Sequence, residues 1–474
     1  MKNEMKKNLF MVAAVALMAL VSCNKEKIND EVQEVPVSNI VFEAVTPQTR
    51  TSIGEVDANG ACPVSWVIGD KITINGSEFT ATSLEENKAI FTETNTGFAE
   101  AEIYDAIYPA TAGKSLNAVT IAAKQDGTFA NASVAVAQSE TRSLQFKNLA
   151  SMLKFQVPVA CSSVTIESTA NLAGTVSVTF DEEGNPVLGE VSNASKSITI
   201  EKSFATGTDY YVAVLPGEHK FTVKMESVVA KASTKTVTLS RAQIGNLKTL
   251  DRPNVNVYIL ASHLSWSKAN ILVDNKSTAM ITATVSGRSY FKASVPFNTT
   301  ANIKFNSGGT TGSYWMVQVG NDNEKITIGS DKYYRISPRG PVEIIPTDES
   351  TFGYSIFVFD QKSKNQAPNL YVWEDNSAFK NQYGGNFSSW PGVVFKNDSY
   401  YKPANNQNWK HYYYYEIPTS LYGKSFKFIV NKSGQTSDLV VTKLDGDLYV
   451  GYWYDSASSN GFWSNSNLST PITQ

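Results

Sequence analysis

Asn369-Leu370-Tyr371-Val372-Trp373 alternates aliphatic and aromatic side chains at a period of two, which is the spacing of a half-buried strand. Leu370 and Val372 then face a core, and Tyr371 and Trp373 share the opposite face. Trp390-Pro391-Gly392 follows at short range and supplies a third ring from a loop. Such a surface can stack against the apolar C–H faces of sugar rings while a few polar side chains at its rim take the hydroxyls. Working outward, the same period recurs in Lys71-Ile72-Thr73-Ile74, Val176-Ser177-Val178-Thr179-Phe180 and Lys220-Phe221-Thr222-Val223-Lys224-Met225. Gly, Asn, Asp and Pro interrupt such runs about every eight to twelve residues, and helical periodicity is scarce, so the expected fold is all-β, built of sandwiches. Of the 53 aromatic residues, 27 fall between Phe352 and Trp463.

A chain of 474 residues holds about three or four domains. Hydrophobic residues make up 42% and charged ones 18%, at a net charge of −3, which fits folded cores and provides no basic stripe for nucleic acid. Nothing asks for catalysis. Glycoside hydrolysis needs two carboxylates about 5–10 Å apart in a cleft, whereas Glu374-Asp375, Asp445 and Asp447 are scattered through a small module. The histidines, His219, His263 and His411, fall one per domain and make no compact metal site. No catalytic residue, metal or cofactor is expected.

At the N-terminus, Lys2, Lys6 and Lys7 precede an apolar run from Leu9 to Val21 that is short for a membrane span. Leu20-Val21-Ser22-Cys23 resembles a bacterial lipobox. The resemblance implies a signal peptide over 1–22, lipidation at Cys23 and anchorage in the outer membrane, with 23–37 as a flexible tether. The spacing of Cys62 and Cys161 does not demand a disulfide, and two buried thiols are the default.

Residues 38–252 carry an ordered set of landmarks: Thr49-Arg50-Thr51, Val64-Ser65-Trp66-Val67-Ile68-Gly69-Asp70, Tyr104-Asp105-Ala106-Ile107-Tyr108-Pro109, Phe146-Lys147-Asn148-Leu149, Leu172-Ala173-Gly174-Thr175 and Tyr210-Tyr211-Val212-Ala213-Val214-Leu215-Pro216-Gly217. This set resembles the fimbrillin-like lipoproteins of Bacteroidetes, which implies two transthyretin-like β-sandwiches split near 143–151. Trp66 reads as a buried anchor before a turn at Gly69-Asp70.

Beyond Arg252-Pro253 a repeat begins. Asn270-Ile271-Leu272-Val273 and Ile303-Lys304-Phe305-Asn306 in residues 253–340 match Asn369-Leu370-Tyr371-Val372 and Phe428-Ile429-Val430-Asn431 in residues 352–466. Pro338, Pro341 and Pro346 suggest a linker, placed at 341–351. The second copy resembles starch-binding modules of carbohydrate-binding family 26, through Tyr371/Trp373, the Trp-Pro-Gly loop, the strand from Tyr412 to Tyr415 that ends in Glu416-Ile417-Pro418, and the hairpin after Asn431. The resemblance implies an aromatic cradle of Tyr371, Trp373 and Trp390 and hydroxyl partners at Lys432, Gln435 and Thr436. Departures are an insertion around Phe379 to Phe387, read as a lengthened loop, and a long segment from Tyr400 to Lys410 containing Trp409. About two of the four tyrosines are expected to be buried, Trp453 and Trp463 to be packing residues, and His411 to be exposed. In the first copy Leu272 and Asp274 stand where Tyr371 and Trp373 would be, so it reads as a degenerate spacer, with Trp266, Tyr290 or Trp315 left as a different platform.

The expectation is a non-catalytic surface lipoprotein that captures starch and malto-oligosaccharides, with a glycan-uptake transporter and amylases as the partners the resemblance implies. An adhesin or accessory pilus subunit that recognises other glycans remains the alternative.

Overall fold

Strands account for nearly every element, and the longest helix among the described residues, Asn376–Tyr383, has 8 residues. The computed structural model describes residues 40–45, 66–85, 88–261, 266–308, 316–321, 323–360, 366–373, 376–401, 410–432, 434–452, 461–463 and 471–472. Cys23 with its leader and tether, Arg50, Cys62, His263, Trp315, Trp409 and Trp453 lie outside these residues. Among the described residues no helix is long and apolar enough to cross a membrane.

The first sheet has eight strands, in the order Lys147–Asn148, Ala135–Ser139, Tyr104–Tyr108, Lys71–Ile74, Ser77–Glu85, Lys88–Glu93, Val41–Val45 and Ser143–Gln145. The strands of Phe42 and Tyr104 stand four places apart in it, about 19 Å in a flat sheet. Their rings nevertheless meet at 4.9 Å. The sheet therefore curves far enough to bring distant strands together over a shared apolar face, within the expected all-β sandwich architecture. Trp66 is buried as expected, edge-on to Phe91, Tyr108 and Phe146. The turn after it is closed by Val67 N–H donating to Asp70 Oδ2 at 2.9 Å, with Gly69 at φ 95°.

The change of sheet falls between Lys147–Asn148 and Ser151–Gln156, but two earlier strands ignore it. Val119–Ile121 pairs with Ala173–Phe180, and Lys124–Gln125 pairs with Ser197–Phe204. The two halves of 38–252 are thus interlaced. Cys161, at the start of Cys161–Ser168, is a free buried thiol.

The C-terminal repeat is visible in the sheets themselves. In the first copy Ile281–Val285, Arg288–Pro296, Asn254–Leu260, Lys332–Ser337 and Gly340–Glu343 form one sheet, and Lys276–Ala279, Asn270–Val273, Ile303–Asn306 and Met316–Gln318 form the other. The second copy repeats the order with Asn397–Tyr401, Lys410–Glu416, Ser355–Asp360, Leu448–Tyr452 and Gly461–Trp463, extended by Pro471–Ile472. Its other sheet is Val393–Val394, Asn369–Val372, Phe426–Asn431 and Leu439–Val441. Both copies pair their first strand in parallel with a late one, Asn254–Leu260 with Lys332–Ser337 and Ser355–Asp360 with Leu448–Tyr452.

The expected linker is built into the fold. Gly340–Glu343 hydrogen-bonds to Lys332–Ser337 as an edge strand, and Ile344 and Phe352 are buried. Three arginines of the first copy grip the second. Arg335, 0% exposed, donates to Asp447 (also 0% exposed) and to the carbonyls of Phe352 and Gly353. Arg288 bonds Glu349 and the Tyr354 hydroxyl, and Arg339 bonds Glu416 and Ser355 Oγ. Asp447 also accepts from Ser355 N–H at 2.9 Å, so its carboxylate is committed to the junction.

This junction explains much of the aromatic density. Ile356, Val358, Tyr413 and Tyr415 point into the second sandwich. Phe357, Phe359, Tyr412 and Tyr449 pack on the other side of the same sheet, in one apolar cluster with Val317 and Ile336 of the first copy. Three of the four tyrosines are buried, and the fourth, Tyr414, is half-buried with the Arg339 guanidinium 4.9 Å from its ring centre. The expectation of two buried tyrosines assumed one solvated face, whereas here both faces of the sheet are covered.

Candidate functional site

Leu370 and Val372 are fully buried beneath the strand Asn369–Val372, which turns Tyr371 outward. The strand direction continues one residue further, because Trp373 N–H donates to Lys427 O at 3.2 Å. Trp373 therefore stands beside Tyr371, with ring centroids 5.5 Å apart and planes at 88°. Trp390 closes the group, 5.8 Å from Tyr371 at 57°. The indoles are among the exposed large apolar side chains of the chain, Trp373 at 37% and Trp390 at 58%. The structure brings the three rings together on one open sheet face.

The loop carrying Trp390 is tied at several points. Val372 N–H donates to Phe387 O before it, and Val393–Val394 pairs with Leu370 and Asn369 after it. Gly392 N–H donates to Ser389 O at 2.7 Å. Gly392 has φ 91°, and a Cβ there would lie 2.2 Å from Leu370 O, so only glycine lets the loop lie against the strand. The Trp390–Pro391 peptide is cis. Asn431 Nδ2 donates to Pro391 O at 2.8 Å, which links this loop to the hairpin that starts at Asn431.

Within that hairpin Lys432 and Gln435 are exposed and free to point into solvent. Thr436 is not. It is 1% exposed, its Oγ1 accepts from Val430 N–H at 3.1 Å and its N–H donates to Val430 O. Its place among hydroxyl partners is corrected: Thr436 braces the hairpin from inside. Cross-strand register adds Lys427, opposite Trp373, and Val394, opposite Asn369 and 45% exposed, to the same face. Sequence reasoning passed over both, and the signal was available, since Lys427 interrupts the apolar pair Phe426 and Phe428.

The insertion before Trp390 is not a longer loop. It is the helix Asn376–Tyr383, which plugs the end of the sandwich with Phe379, while Phe387 is buried beside it at a ring distance of 5.4 Å. His411 is likewise corrected from exposed to buried, its Nε2 2.8 Å from Asp398 Oδ2. His219 is buried between Leu215 O and Ser168 Oγ. Among the described residues no three metal-ligating side chains gather.

The first copy handles the equivalent position differently. Leu272 is buried, and Asp274 and Asn275, at φ 45° and 67°, turn the chain back into Lys276–Ala279 where the second copy runs on to Trp373. Tyr290 is fully buried and Trp266 is packed against the core, so neither offers an open ring.

No family model matches the chain, and no curated protein matches it. The fimbrillin-like and family 26-like readings thus stand on the residues quoted for them. Among solved structures 24 chains match. One is a candidate cell adhesion protein from Bacteroides ovatus, 14% identical, covering 47% of this chain and 92% of its own, at a TM-score of 0.25. A likeness at that score says nothing firm about fold or role.

Proposed function

We propose that the chain binds starch-like α-1,4-glucan through Tyr371, Trp373 and Trp390, without catalysis. The observation that carries this reading is the ring trio itself, two exposed indoles around a half-buried Tyr371, with ring planes at 88° and 57° to Tyr371. Planes at such angles follow a curved, helical glucan, whereas an extended β-glucan calls for coplanar rings. Lys432 and Gln435, exposed in the hairpin, would meet hydroxyls at one end of the platform, and Lys427, opposite Trp373, would do so at the other. Each stacked ring contributes on the order of 1 kcal/mol beyond the area it buries, which puts affinity between micromolar and millimolar. Lipid attachment at Cys23 would hold the chain at the outer membrane, where glucan capture would supply separate amylases and an uptake transporter.

The test is calorimetric titration of the whole chain with maltoheptaose, beside cello-oligosaccharides and Trp373→Ala. Binding of maltoheptaose alone, lost in the variant, supports the reading. Absence of heat with any α-glucan defeats it, and binding of branched host glycans instead would turn the same platform over to an adhesin.

A further inference from the structure

The loop carrying Trp390 offers its ring little packing, since the indole is 58% exposed. What fixes the ring must therefore act on the backbone beside it. Asn431 is 2% exposed and lies directly across from Asn369 in the sheet. Asn369 Nδ2 reaches Asn431 Oδ1 at 3.3 Å, which orients the Asn431 amide so that its own Nδ2 meets Pro391 O at 2.8 Å. Pro391 follows Trp390 directly, so this bond ties the ring-bearing residue to the sheet, whereas the bond from Asn386 Nδ2 to Ser389 Oγ at 2.9 Å on its other side stays within the loop.

The first copy shows what the pair does without such a loop. Asn270 and Asn306 occupy the same cross-strand register, and there Asn306 Oδ1 accepts from Gly308 N–H at 3.0 Å, within its own turn. The scaffold keeps the asparagine pair in both copies, and among the described residues the pair reaches out to a ring-bearing loop in the second. We propose that Asn431, oriented by Asn369, is the positioning residue that holds Trp390 in the platform. The inference rests on the glucan reading only for its affinity readout.

The test uses the whole chain labelled with 5-fluorotryptophan, with the Trp390 fluorine resonance identified by Trp390→Phe. Asn431→Asp keeps an acceptor for the Asn369 amide and removes the donor to Pro391, and Asn431→Ser serves where thermal melting shows that the aspartate harms the fold. The expected result is a shifted or broadened Trp390 resonance with the other tryptophan signals unmoved. The dissociation constant for maltoheptaose should rise roughly fivefold, the effect of one neutral hydrogen bond. In a Trp390→Ala background the same substitution should change affinity no further, because its action runs through that ring. An unmoved Trp390 resonance in a folded variant overturns the proposal, and so does an equal affinity loss in both backgrounds. Wild-type chain that ignores maltoheptaose while the variant shifts the Trp390 signal would defeat the glucan reading and leave Asn431 as the residue that sets the loop.

Discussion

Asp447→Asn tests whether the two C-terminal copies are locked together. The carboxylate is fully buried, faces the Arg335 guanidinium and also accepts from Ser355 N–H. The substitution keeps the shape and an acceptor for Ser355 but leaves a buried cation without its counter-charge. Breaking a buried pair on one side costs about 3–5 kcal/mol, and the retained acceptor puts the expected loss at the lower end, about 3 kcal/mol. Arg335→Met with Asp447→Leu removes both charges together, but it also strips the Phe352 and Gly353 carbonyls of their donor. Asp447→Leu also leaves Ser355 N–H without its acceptor, so the double variant should still lose about 3 kcal/mol, less than the sum of two single changes of about 3 kcal/mol each by about 3 kcal/mol. Global melting of a chain with several sandwiches is not two-state, so hydrogen exchange at single amides is the better assay. Ile417 N–H, bonded to Tyr354 O at 2.7 Å beside the junction, should lose about two decades of protection. Protection within a factor of five of wild type, or strictly additive single and double effects, would refute a coupled, buried pair.

Gly392→Ala would drive a methyl group toward Leu370 O at a positive φ, so the loop should move and maltoheptaose affinity should drop at least tenfold, read by calorimetry. Thr436→Val removes the acceptor for Val430 N–H and should cost about 1–2 kcal/mol, read by hydrogen exchange at amides of the second sandwich, while leaving glucan affinity within twofold; the opposite pattern would return Thr436 to the ligand. Burial, with Glu226 adding to it, pushes the Cys161 thiol up to about 11 from an ordinary 9.0. The folded chain then keeps a proton that the unfolded chain releases, so this group's contribution to stability is intact below the unfolded value and falls as pH rises toward the folded one. Urea midpoints at pH 8 and pH 10 should accordingly diverge less in Cys161→Val than in wild type.

Strand period, the order of the repeat and the three rings were legible because each is local. Leu370 and Val372 announce an inner face, and Tyr371 and Trp373 follow by alternation. What escaped was set by distant partners. The curved first sheet depends on Val41–Val45 lying between strands that are far away in sequence. Three prolines made 341–351 look like a linker, whereas Gly340–Glu343 pairs with Lys332–Ser337, Pro341 included. Thr436 and His411 carry polar groups that suit a surface, and only the fold shows Val430 N–H and Asp398 waiting for them. The aromatic density likewise has a second use, since Phe357, Tyr412 and Tyr449 serve a junction that no local pattern reveals.

The tight turn at Asp274 and Asn275 in the first copy has a consequence for how strongly a polymer is retained. Among the described residues the rings form one platform, so on the proposed glucan reading these residues would hold a polysaccharide at a single, weak and quickly released contact. Retention of a long glucan would then depend on avidity among neighbouring molecules, with the effective concentration set by their lateral spacing. If the proposed lipid attachment and glucan binding both hold, crowding on the membrane, more than any further side-chain contact, would be the variable that tunes capture.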